Sequence, residues 1–208
     1  MTAAPAPATA VTAPGTPSGY AVTVPAAWDR VPLDDGARER AVRRIVARGF
    51  AGRDDRPLLR AAVERELLSA AAEAASRGGL ELHLAARPVA GVVVPASLLV
   101  HVLPPEAVGA PGAAGLAAAL TTGADPAAVT VVELPAGPAV RRRRTLPAVA
   151  GEDGARPGSV VVDHFVPLPG AAAGPPTVLV LTGSTPRVPW EEGVVVLLDA
   201  VARTLRWT

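Results

Sequence analysis

The hydrophobic period of this chain changes once from helical to extended and once back, and that order restricts the fold more than any motif does. Before Gly79, Val42, Ile45, Val46 and Phe50 form one helical stripe, and Leu59, Val63, Leu67, Ala70 and Ala74 form another. From Leu80 to Leu84 the leucines alternate with Glu81 and His83, the pattern of a strand with one covered and one wet face. Helical spacing returns after Pro189, where Val194, Leu197, Leu198, Val201 and Leu205 share a side and Asp199, Arg203 and Arg206 face the other way. Helices, then a run of strands, then a closing helix is a segregated order rather than repeated βαβ units. The sequence therefore predicts an α+β domain, an antiparallel sheet of about six strands with helices packed on it.

Caps and breakers place the element ends. Asp34 or Asp35 caps the first helix, and Gly49 and Gly52 stop it. Asp54 or Asp55 caps the second, which has Pro57 in its first turn and ends at Arg77-Gly78-Gly79. Glu191 and Glu192 open the closing helix, where negative charge complements the dipole. Between them, β-branched runs bounded by Pro and Gly mark strands at 20–24, 80–84, 92–94, 97–103, 129–134, 139–145, 160–166 and 177–182, with an alanine-rich helix at 111–120. Trp28 and Leu33 read as an apolar link. Residues 146–158 are charged and without period, as in a mobile hairpin loop.

Composition removes several classes of function. A chain of 208 residues, half of them hydrophobic, buries roughly 70% of its unfolded surface. Residues 1–18 carry no charged side chain and are almost wholly Ala, Pro, Thr and Gly, so they read as a disordered tail before a single domain at 19–208. That tail lacks the basic start and continuous apolar stretch of a secretory signal, and a cytoplasmic location is expected. A membrane span is not expected, because Pro88, Gly91, Pro95, Pro104 and Pro105 interrupt the most apolar stretch. The absence of cysteine removes disulfides, thiolate metal sites and cysteine nucleophiles. Lysine is absent too, and a formal net charge of +1 argues against a broadly basic nucleic-acid binder.

Four segments carry a family resemblance: Tyr20-Ala-Val-Thr-Val-Pro with Trp28 following, Val131-Val-Glu-Leu-Pro-Ala-Gly-Pro-Ala-Val-Arg141, Asp163-His-Phe-Val-Pro-Leu-Pro-Gly170, and the end from Leu179 to Trp207. In order and local wording they resemble a family of uncharacterised actinobacterial proteins, similar in layout to the PsbP-like α/β/α sandwich. The resemblance implies a binding or assembly module and no catalytic residues.

The most conspicuous local feature is Arg141-Arg142-Arg143-Arg144. On a strand, successive side chains alternate, so two of the four share each face. The run is either an anion-binding patch or the charged protection of an edge strand, and edge protection is the favoured reading. Nucleic acid is not an expected partner, since no aromatic residue sits beside the run to stack on bases. His83, His101 and His164 fall on strands without metal-ligand spacing, so no metal and no cofactor is expected. Asp163 and His164 are adjacent and should point to opposite faces, which argues against a triad. Gly183-Ser184-Thr185-Pro186 reads as a strand-to-helix turn without the lysine of a phosphate loop. Capping explains the acidic pairs at helix starts. Trp28, Trp190 and Trp207 stand at element edges, as core-edging indoles do; a shared exposed patch would instead mark a partner surface, with Trp28 and Trp207 as its candidates.

These features predict a soluble, non-enzymatic binding or accessory module that recognises another protein through a sheet face or the terminal helix. The alternative is a small-ligand or anion-binding protein, or an enzyme, with a pocket near Arg141, Arg142, Arg143, Arg144 and His164.

Overall fold

The computed structural model describes residues 17–52, 55–87, 94–103, 112–122, 128–151, 154–156, 158–169 and 177–208. The predicted tail, the candidate cap Asp54 and most of the 92–94 segment lie outside them, except that Ser18 and Gly19 both donate their backbone N–H to the carbonyl of Thr208, at 2.9 and 3.0 Å. The first strand lies against the C-terminal segment: β1 (Tyr20–Ala21) pairs with β11 (Arg206–Trp207).

The architecture is α+β. A seven-stranded antiparallel sheet runs in the order β2 (Asp29–Val31), β3 (Gly79–Leu84), β4 (Ser97–Leu103), β10 (Val178–Pro186), β9 (Ser159–Pro167), β6 (Gly137–Leu146) and β5 (Val129–Leu134). The strand beyond the expected six is β2, a three-residue element formed by the link after Trp28. Residues 149–151 and 154–156, expected to be a loop, pair as a small separate hairpin of β7 and β8.

Register assigns the faces. Leu98 and Val100 of β4, Leu181 of β10 and Val166 of β9 pack with Val194, Leu198, Val201 and Leu205 of or just beyond α4 (Glu191–Ala202). The intervening residues point the other way. Leu82 and Val31 meet Ala41, Val42, Ile45 and Val46 of α1 (Asp35–Gly49) and Ala71 of α2 (Pro57–Ser76). Further along that opposite face, Val140, Phe165 and Val180 bury Leu116 of α3 (Gly112–Thr121). Helices thus cover both faces of one sheet. Among the described residues no helix is long and apolar enough to cross a membrane.

Local chemistry explains where the helices start and how closely they dock. Asp34 caps α1, accepting from the Ala37 N–H at 3.0 Å. The second helix begins instead at Arg56 with no side-chain cap; of its expected stripe Ala74 is buried and Val63 and Leu67 pack on the core, while Ala71 rather than Ala70 is buried and Leu59 is half exposed. Gly79 lets β3 pass under α2, since a Cβ there would stand 2.6 Å from the Ala74 carbonyl oxygen. A bulge between Gly79 and Glu81 then throws Leu80 outward, breaking the predicted alternation.

Residues 183–186 belong to β10 and are not a strand-to-helix turn. A Cβ on Gly183 would stand 2.5 Å from Leu198 Cδ2 and 2.9 Å from its Cγ, and Leu198 is buried in the core beneath α4. Gly183→Ala should therefore destabilise the fold by about 1–3 kcal/mol through overpacking. Gly193→Ala, on the same helix with open space around it, should stabilise by about 0.5–1 kcal/mol through helix propensity. Urea unfolding of both variants checks this pair of opposite signs.

Candidate functional site

The four arginines lie on β6, between β5 and β9. Pairing with β5 covers Arg141 and Arg142 and stops there, so edge protection does not explain those two, while Arg143 and Arg144 run past the start of β5; all four have carboxylate partners. The alternation splits the run into two ion-pair systems on opposite sides of the sheet.

On the α4 face, Arg141 makes a bidentate contact with Asp199, Nε to Oδ1 at 2.8 Å and Nη2 to Oδ2 at 3.1 Å. His164 brings Nε2 to 3.0 Å from the same Oδ1. Arg143 grips Glu192 in the same fashion, with Nη1 donating to Oε2 at 2.9 Å and Nη2 to Oε1. Asp199 was expected to face away from the sheet; it lies at the border of the apolar stripe, where a side chain can turn back to meet a cation. Glu192 likewise spends its carboxylate on Arg143, and α4 has no side-chain cap at Trp190. Burial alone would raise the Asp199 pKa, but the hydrogen bonds from His164 and Arg141, with their positive charge, outweigh it and bring the carboxyl to about 2.

On the opposite face, Asp163 is 2% exposed. Its Oδ2 accepts from Nε and Nη2 of Arg142 at 3.1 and 2.9 Å and from Nε of Arg144 at 3.1 Å, with Arg144 Nη2 in ion-pair contact at 3.0 Å. Thr182 donates its hydroxyl to Oδ1 at 2.9 Å. Since that hydroxyl has one proton, its oxygen accepts from His101 Nε2 at 3.3 Å. Burial lowers the His101 pKa against the pull of Asp163, which favours a neutral ring carrying its proton on Nε2. The Arg142 guanidinium also stacks over Phe165, 5.0 Å from the ring centroid. This chain crosses four strands, β4, β10, β9 and β6, between the sheet area covered by α1 and α2 and that covered by α3.

The structure places the other candidates apart. Asp163 and His164 stand back to back across the sheet. His83 is buried on β3 with Nε2 2.9 Å from Glu81 Oε2, on the α4 face with His164, while His101 is on the opposite face. Trp28 is 8% exposed and part of the core. Trp207 is half buried, its Nε1 donating to the Ala136 carbonyl at 2.8 Å. Trp190 is the exposed indole of the three, so they form no shared exposed patch. The residues that sequence reasoning missed are Thr182, Asp199 and Glu192. A carboxylate seven positions from another on one helix, opposite arginines two apart on a strand, was the available signal for the last two.

No known family, curated protein or solved structure matches this chain.

The Asp199 pKa is depressed in the fold, from 3.8 to about 2. Its stabilisation is therefore complete above the unfolded value and is lost as pH falls through the folded one. With the group half exposed, this part is worth about 1 kcal/mol after solvent screening. Asp199→Asn should be destabilised at pH 7, and the gap to the parent should close as the pH falls from 4 toward 2. Paired urea titrations along that series check it; a constant gap would contradict the assignment.

Proposed function

We propose that the protein is a soluble, non-catalytic binding module of the cytoplasm that recognises another protein by accepting a strand of it at the outer edge of β5. The observation that carries this reading is the contrast between the two sheet edges. At one end β2 is three residues long, and its Asp29 carboxylate takes Arg48 and Arg87. Short, charged edges of that kind resist strand addition. At the other end β5 offers six residues, Val129–Leu134, with no proline, lysine or arginine, and Val131 is 52% exposed. Among the described residues no strand pairs with its outer side. Backbone pairing along such an edge supplies affinity, and alternate side chains supply selectivity.

Two further observations support a binding role over an enzymatic one. On the α4 face each arginine is neutralised by its own carboxylate, and the adjacent Asp163 and His164 serve separate faces. Helices on both faces of an antiparallel sheet are what a PsbP-like layout would have, and an assembly role goes with that reading.

Photo-cross-linking in native cells from residue 131, compared with residue 196 on the outer side of α4, tests the surface. Cross-links to one partner should concentrate at 131, and Val131→Lys should abolish that partner's co-purification while leaving the melting temperature within a few degrees. Cross-links only from Val196, which is 67% exposed, would move the interface to the terminal helix.

A further inference from the structure

The two halves of the arginine run differ in charge balance. On the α4 face each arginine has its own carboxylate, Asp199 for Arg141 and Glu192 for Arg143. On the opposite face Arg142 and Arg144 share Asp163, and among the described residues no other carboxylate pairs with either. Among the described residues one positive charge is left over. The donor count is uneven as well. Three N–H groups are hydrogen-bonded to the single oxygen Oδ2, and Arg144 Nη2 is in ion-pair contact with it, whereas a carboxylate oxygen offers about two lone-pair sites. Each guanidinium also keeps Nη1, for which no partner exists among the described residues.

We propose that this face binds a small oxyanion-bearing ligand, a carboxylate or a phosphoryl group, on the outward N–H groups of Arg142 and Arg144. The site is built for that purpose in three respects. Asp163 is anchored from behind by Thr182, itself held by His101, so the carboxylate that orients both forks has a fixed position. Phe165 holds the plane of Arg142. Arg144 keeps 41% of its side chain exposed and Arg142 keeps 22%, so an anion can approach without unfolding anything. The half-buried Ser184 hydroxyl lies on the same face, in the strand row of Arg144 and Val161. A bidentate oxyanion would take the surplus donors and the surplus charge together, which a shared Asp163 cannot do. This inference is independent of the β5 edge: ligand occupancy needs no partner protein, and strand addition needs no anion.

The test is titration of the full chain, in a chloride buffer, with inorganic phosphate in one arm and succinate in the other, followed by arginine Nε–H resonances and by the shift in melting temperature. The expected result is saturable binding of at least one anion in the millimolar range or tighter. Arg144→Gln should weaken it about 10-fold or more, and Arg143→Gln, on the balanced face, should leave it unchanged. Phosphate alone saturating assigns a phosphoryl ligand, and succinate alone assigns a carboxylate. If Arg144→Gln does not fold, Arg144→Lys keeps the charge and removes the fork, and its affinity should also fall. Lack of saturation by both anions, or equal affinity in the Arg144 and Arg143 variants, would overturn the proposal.

Discussion

A carboxylate at the middle of an apolar sheet has to be neutralised, and the placement of Asp163 makes the rest of the central architecture follow. Burying an unpaired carboxylate costs several kcal/mol, so β6 must run beside β9 with arginines at the two positions that reach it. Strand alternation then forces the intervening Arg141 and Arg143 to the other side. There they too need partners, and α4 supplies Asp199 and Glu192. The arginine run therefore couples the fourth helix to the sheet electrostatically, while Leu198 seated against Gly183 couples it by shape.

That arrangement gives the two faces different characters. The α4 face carries an apolar core with a balanced set of ion pairs beside it, and β1 pairs with β11 along its border. The opposite face is divided between α1 with α2 and α3, and the division leaves a polar strip running from His101 to Arg144. Asymmetry also marks the sheet edges, one short and charged, the other long and β-branched. Both proposals rest on such contrasts within the molecule, a surplus charge set against a balanced pair and an open edge set against a guarded one.

Much of this was legible in the residues. Helical periods located α1 and α4, and alternation bounded by proline and glycine gave β4 and β5 their observed limits. Alternation also separated Asp163 from His164, and Arg142 with Arg144 from their neighbours. What escaped was tertiary in origin. The pairing of β6 with β5 depends on strand order, which no local pattern encodes, so Arg141 and Arg142 read as part of an edge. Three residues are too few for a period, so β2 read as a link. The bulge at Leu80 follows from Gly79 passing under a carbonyl of α2, a contact between elements. Asp199 read as solvent-facing because a helical wheel cannot show that a cation waits across the groove.

The central claim is that the arginine run forms two electrostatically separate sites, and double-mutant cycles on folding stability test it most directly. Cycles pairing Asp163→Asn with Arg144→Gln, and Asp199→Asn with Arg141→Gln, should each show a coupling of about 1–2 kcal/mol, while Asp163→Asn with Arg141→Gln should show about zero. A coupling between Asp163 and Arg141 as large as those within each face would contradict the account.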